Sequence, residues 1–176
     1  YLDKKKSSNK NTAVFVETDA KTKGFQGLFD SKTNQKIANL IKKNSNLQTN
    51  KIYSLDHDFD QKLVIILLTS TNTDIEFEKL GAKFFDFLKK NEIHDIYVNA
   101  PKIKSLKNKN LLFFNSFLHG AELKSYDFNL YKTKKKFKTI SISINKRDNF
   151  KKSNKLDAIL NGVNFTRDLV SEPGNI

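Results

Sequence analysis

The sequence predicts an α/β fold, a mixed sheet flanked by helices. Three observations carry this. Strand-like and helix-like stretches alternate along the chain. Leu63-Val64-Ile65-Ile66-Leu67-Leu68 is apolar at every position, as expected of a strand covered on both faces. Thr73-Asp74-Ile75-Glu76 is a capping-box pattern. It opens a run in which Phe77, Leu80, Gly81, Phe84 and Leu88 keep the spacing of one helical face.

The elements follow in order. The first dozen residues are polar and read as a loose arm. Ala13-Val14-Phe15-Val16 reads as a short strand. Asp30 and Ser31 can cap a helix carrying Ile37, Leu40 and Ile41 on one face. Lys51 to Leu55 reads as a second strand, before the apolar one at 63–68. After the capped helix, Asp95-Ile96-Tyr97-Val98 returns as a strand that stops near Pro101. A further helix carries Phe113, Phe114, Phe117, Leu118 and Ala121, with Gly120 on it or at its late turn. From Lys138 to Ile144, Ile140, Ile142 and Ile144 alternate with Thr139, Ser141 and Ser143. That is a half-buried strand, expected to be antiparallel or near an edge. The last helix starts near Asn154, which can cap it, with Asp157 in its first turn. Leu156, Ile159, Leu160, Val163 and Val170 mark its apolar stripe, and Glu172-Pro173-Gly174 stops it.

At 176 residues and 38% hydrophobic content the chain is long enough for one core. No apolar run approaches the ~20 residues that span a bilayer, and the amino terminus does not read as a secretory signal. No membrane partner is expected. The absence of cysteine removes disulfides, thiolate metal sites and cysteine catalysis, and fits a reducing, cytoplasmic setting. The chain starts at Tyr1 and lacks Met, so it reads as a fragment or processed chain. The formal charge is +13, yet only Arg147 and Arg167 are arginines among 32 basic residues. A dedicated phosphate-binding surface more often uses the planar arginine fork. Abundant Lys, Asn, Ile and Phe are also what an AT-rich genome favours, so much of the charge is background. It still permits salt-sensitive attraction to polyanions such as DNA.

No catalytic constellation is complete. Asp56-His57-Asp58-Phe59-Asp60 imitates the start of a calcium loop, but Gln61 and Leu67 stand where that loop needs Gly and Glu. His57, His94 and His119 lie far apart without metal-ligand spacing, and no nucleophile elbow, P-loop or dinucleotide fingerprint occurs. The densest basic run holds Lys132, Lys134, Lys135 and Lys136 beside Tyr131 and Phe137. It reads either as a polyanion contact or as a solvated hairpin.

Two segments are more specific. Gly120-Ala121-Glu122-Leu123-Lys124-Ser125-Tyr126-Asp127-Phe128-Asn129-Leu130-Tyr131-Lys132 follows a Gly-Ala-x-Leu-x-x-Tyr-x-Phe-x-x-Tyr-Lys pattern. Gly162-Val163-Asn164-Phe165-Thr166-Arg167-Asp168-Leu169-Val170-Ser171-Glu172-Pro173-Gly174-Asn175 follows Gly-Val-x-x-x-Arg-Asp-Leu-Val-Asn-x-Pro-x-Asn, with Ser171 in place of Asn. Together, and in this order, they resemble the leucyl aminopeptidase (cytosol aminopeptidase) family at the end of its N-terminal domain; residues 1–119 resemble it only in pattern.

The resemblance implies a macro-domain-like α/β domain over 1–153 and a junction helix over 154–176 that leads to a catalytic domain. The parent would be a hydrolase: a hexameric metalloexopeptidase that removes N-terminal residues from peptides with two divalent metals, manganese or zinc. The segments that hold those metals in the family do not occur here, so this piece is expected to hold no metal or catalytic residue of its own and to be inactive alone. Its partners would be the catalytic domain of the same chain, further copies in the hexamer and, through the parent, peptide substrate. Arg167, Asp168, Pro173 and Asn175 are the expected interdomain junction residues. Arg167 and Asp168 read either as hydrogen-bonded organisers of that boundary or as an ordinary exposed pair worth under ~1 kcal/mol. Thr69-Ser70-Thr71-Asn72 follows the central strand where the family often has a glycine-rich turn, so phosphate cradling of ADP-ribose is not expected. The alternative reading is a nucleic-acid-binding module that uses the lysine-rich surface.

Overall fold

A computed structural model describes residues 11–17, 29–44, 50–58, 61–69, 73–99, 110–128, 131, 139–144 and 153–172. Along the chain run β1 (Thr12–Glu17), α1 (Ser31–Lys43), β2 (Lys51–Asp58), β3 (Gln61–Leu68), α2 (Asp74–Lys90), β4 (Asp95–Asn99), α3 (Asn110–Ser125), β5 (Ser141–Ile144) and α4 (Asn154–Ser171). This is an α/β fold with a five-stranded mixed sheet of order β2-β3-β1-β4-β5. The chain divides into two compact units, one holding the sheet and α1, the other α2, α3 and α4.

In the sheet unit, β3 lies parallel to β1 and antiparallel to β2, while β4 lies parallel to both β1 and β5. Every residue from Leu63 to Leu68 is buried, which is why the segment lacks polar alternation. Leu63, Ile65 and Leu67 share one face with Val14 and Val16, and that face packs on Ile37 and Ile41 of α1. Asp30 caps α1 by accepting from the Thr33 N–H at 3.1 Å.

Asn11 enters the sheet unit as a side chain that the sequence reading passed over. Its amide donates to the Asp95 carbonyl at 2.9 Å, and its side-chain oxygen accepts from the Lys62 N–H at 3.0 Å. Its backbone carbonyl accepts from the Tyr97 N–H. One residue thereby satisfies backbone groups at the start of β3 and along β4 that lie just beyond the first residue of β1, between them, and would otherwise be left open.

Two strands differ from expectation. β5 is an edge strand, as expected, but pairs parallel with β4 rather than antiparallel. Period-2 alternation reports which face is buried and carries nothing about strand direction. β2 continues to Asp58, and Asp56 opposes Lys62 across the antiparallel pair. The Asp56–Asp58 segment is thus the end of a strand; among the described residues no group of three or more His, Asp and Glu side chains is placed to hold a metal ion.

In the helical unit, α2 starts with the expected capping box. The Glu76 N–H donates to Thr73 Oγ1 at 3.3 Å, and the Thr73 N–H donates to Glu76 Oε2 at 2.6 Å. It ends at Asn91, after which Glu92 takes a left-handed φ of 54° and the Ile93 N–H donates back to the Leu88 carbonyl. This is a Schellman closure with glutamate where glycine is usual.

Phe77, Leu80, Phe84 and Leu88 of α2 and Phe113, Phe117 and Ala121 of α3 are buried. Phe77 meets Phe113 edge-on at 4.2 Å between centroids, and Phe84 meets Phe117 at 5.2 Å. The two helices touch backbone to backbone. A Cβ built on Gly81 would lie 1.8 Å from the Phe117 carbonyl oxygen, and one on Gly120 would lie 1.9 Å from that of Glu78. Gly120 therefore belongs to the body of α3. Lys124 and Asp86 add an exposed ion pair between the same helices at 3.2 Å.

α4 is capped by Ser153, one residue before the expected Asn154, with the Leu156 N–H donating to the Ser153 hydroxyl. No residue of α4 is buried. Leu156, Leu160 and Val163 of the expected stripe are half-buried, whereas Ile159 and Val170 are exposed. At 100° per residue Val170 shares the bearing of Val163 but stands in the last turn of α4, and Ile159 flanks that face, so apolar spacing marks the stripe without fixing how far along and around the helix burial extends. No helix among the described residues is long and apolar enough to cross a membrane.

Candidate functional site

The two sequence segments singled out above meet in space. α3 ends at Ser125, and Tyr126 follows directly. The Tyr126 hydroxyl donates to Asp168 Oδ1 at 2.8 Å, and Arg167 Nη1 donates to the Leu123 carbonyl at 2.8 Å. The Arg167 guanidinium carbon lies 5.3 Å from the Tyr126 ring centroid, a cation–π approach. Arg167 and Asp168 are neighbours on a helix and point about 100° apart. Each finds a separate partner at the end of α3.

The local chemistry explains the pairing. Leu123 sits in the last turn of α3, where carbonyls have no intrahelical partner and a cation is favoured. Arg167 fills both roles. Asp168 lies in the last turn of α4, which contains no basic residue and where a carboxylate is disfavoured by the helix dipole. The phenol of Tyr126 offsets that by donating to it. Partial burial first, and then this hydrogen bond to the carboxylate, push the Tyr126 phenol above its ordinary value, so the donor stays protonated. At the other end of α4, the Ser153 N–H donates to Asn115 Oδ1 of α3 at 3.1 Å. α4 is thus pinned to α3 by polar contacts near both ends. Glu172 takes an extended backbone, φ −72° and ψ 137°, as suits a residue that precedes proline.

Arg167 and Asp168 therefore come together with Tyr126 and Leu123. Pro173 and Asn175, and the lysines Lys132, Lys134, Lys135 and Lys136, lie outside the described residues. His119 is buried on α3, with Nε2 3.9 Å from Glu78 Oε2. Tyr126 and the Leu123 carbonyl are partners the sequence reading did not assign. The usable signal was that both fall inside the first of the two patterned segments. Chemically the cluster holds position: it fixes a helix end through charge-assisted hydrogen bonds and offers no nucleophile.

No protein-family model matches this chain, and no curated protein matches it. Solved structures do. A tomato leucine aminopeptidase mutant superposes with a TM-score of 0.65 at 16% identity, covering 95% of this chain and 36% of that one. The bottromycin maturation enzyme BotP gives a TM-score of 0.58 at 11% identity, covering 94% and 33%. BotP in complex with Mn gives 0.54 at 10% identity, covering 94% and 32%. At these identities the likeness is one of fold. The chain spans about a third of the length of the solved chains it matches.

Proposed function

We propose that this chain is the non-catalytic N-terminal domain of a leucine-aminopeptidase-type metallopeptidase, with α4 as the connector to a downstream catalytic domain. The observation that carries the reading is the pairing of the two patterned segments in one cluster, Tyr126 with Asp168 and Arg167 with Leu123. The fold likeness to about a third of an aminopeptidase chain supports it independently. On this reading the cluster sets the angle at which the chain leaves α3 and α4 for the next domain. That domain would supply the divalent metals, manganese or zinc, that activate water and polarise the scissile carbonyl. The residues described here do not fit a metal pair, so no step of the chemistry runs through them. The parent would be a cytoplasmic hexamer that acts on peptides, and this domain would assist its assembly and shield its active site.

The test is an assay of the purified 176-residue chain with leucine p-nitroanilide and manganese. No turnover is expected. Robust metal-dependent turnover by this chain alone would contradict the assignment of catalysis to another domain.

A further inference from the structure

The outward face of α4 carries a seam that fits a second copy of itself. Lys155, Ala158, Gly162, Phe165, Leu169 and Glu172 are spaced 3, 4, 3, 4 and 3 apart, the spacing of coiled-coil core positions, and all six are exposed. Phe165 is 64% exposed and Leu169 55%, in a chain of mean hydropathy −0.58. Gly162 has nothing within 4 Å of where a Cβ would stand, so the surface beside it is an open hole. Along the seam the residues run basic, small, small, large, large, acidic.

That order is complementary to itself in one orientation only. Laid antiparallel about a two-fold axis between residues 163 and 164, Phe165 of each copy falls on Gly162 of the other, and Leu169 on Ala158. Lys155 falls opposite Glu172 at both ends. A parallel arrangement would set glycine on glycine, phenylalanine on phenylalanine, and like charges on like. The seam runs for seventeen residue steps, about 26 Å at the helical rise. We propose that two copies of this chain pair through α4 as an isologous, antiparallel helix dimer, with Phe165 seated over Gly162 and Lys155–Glu172 pairs closing both ends. The inference rests on the seam alone and goes beyond the domain assignment above.

One helix per side is a small interface, so the dimer is weak and dissociates on dilution. The experiment is sedimentation equilibrium of the full 176-residue chain from micromolar to near-millimolar concentration. It is run at physiological salt, where the net charge is screened beyond about 8 Å. The expected result is a reversible monomer–dimer equilibrium. Gly162→Leu fills the hole and abolishes the dimer while leaving the unfolding midpoint of the monomer unchanged or higher. Lys155→Glu weakens association about tenfold by placing like charges at both ends, and Lys155→Glu combined with Glu172→Lys restores it. A monomer at every concentration overturns the proposal. So does a dimer indifferent to Gly162→Leu, or one that the double charge exchange fails to restore.

Discussion

A methyl group added at Gly120 has no space to occupy. Its carbon would stand 1.9 Å from the Glu78 carbonyl oxygen, where ordinary contact starts near 3.4 Å, so α2 and α3 must part by about 1.5 Å. The obstacle is backbone on both sides, and no side chain can rotate away. Parting the helices also opens the Phe77–Phe113 and Phe84–Phe117 contacts, which lie at 4.2 and 5.2 Å. Overpacking a close-packed core costs about 1–3 kcal/mol, and this site belongs at the upper end. Alanine returns about 1 kcal/mol through better helix propensity than glycine. The clash wins, and Gly120→Ala is expected to lose about 2 kcal/mol. In urea, with a slope of about 2 kcal/mol per molar, the midpoint falls by about 1 M. Far-ultraviolet circular dichroism during urea unfolding measures it. Gly162→Ala is the internal control: its position is open, so only the propensity gain of up to about 1 kcal/mol remains. A Gly120→Ala midpoint equal to or above that of the unchanged chain would refute the claim that the two backbones are in contact.

Three further outcomes follow from other sites. Asn11→Ala leaves the Lys62 N–H and the Asp95 carbonyl without their partner, and is expected to lower stability by about 1–3 kcal/mol in the same urea assay. An unchanged midpoint would remove the clamp from the account. Glu92→Gly relieves a left-handed φ of 54° and is expected to raise stability by about 0.5–1 kcal/mol; a fall would mean the Glu92 side chain matters more than its backbone. The Tyr126 phenol titrates above its ordinary 10.0 in the folded chain. Its contribution is therefore complete below pH 10 and is lost as pH rises through the raised value. The stability advantage of the chain over Tyr126→Phe should shrink above pH 10, with the last phenolate absorbance missing from the variant. An advantage that holds or grows with pH would contradict the Tyr126–Asp168 bond.

Much of the fold was legible because local physics and tertiary packing agree in it. β3 reads as a doubly covered strand since both of its faces are buried, and α2 announces itself through Thr73 and Glu76 before its apolar face begins. Asp30 did the same for α1. Where local pattern is silent, the reading stopped. The Ile142 and Ile144 alternation could not report that β5 runs parallel to β4. A helical glycine reads in sequence as a propensity loss, and only the pairing of Gly81 with Phe117 and of Gly120 with Glu78 shows what it is for. Asn11 is an ordinary polar residue until β3 and β4 are placed beside it. In α4, Ile159 and Val170 keep the spacing of the apolar stripe yet stay exposed, one at the flank of the docked face and the other in the last turn, and spacing alone does not report that.

The candidate site was half legible. Arg167 and Asp168 stood out through the patterned segment that holds them, and so did the segment containing Tyr126. That Arg167 bonds Leu123, and Asp168 bonds Tyr126, depends on a contact across more than forty residues. No local rule supplies it.

As proposed above, this chain is the accessory part of a metal-dependent exopeptidase. The most direct measurement is leucine p-nitroanilide hydrolysis by the longest product of the reading frame that encodes these residues, with and without a chelator. The account predicts turnover that the chelator abolishes and added manganese or zinc restores. A longer product that folds, takes up either metal and still releases no N-terminal residue would contradict it.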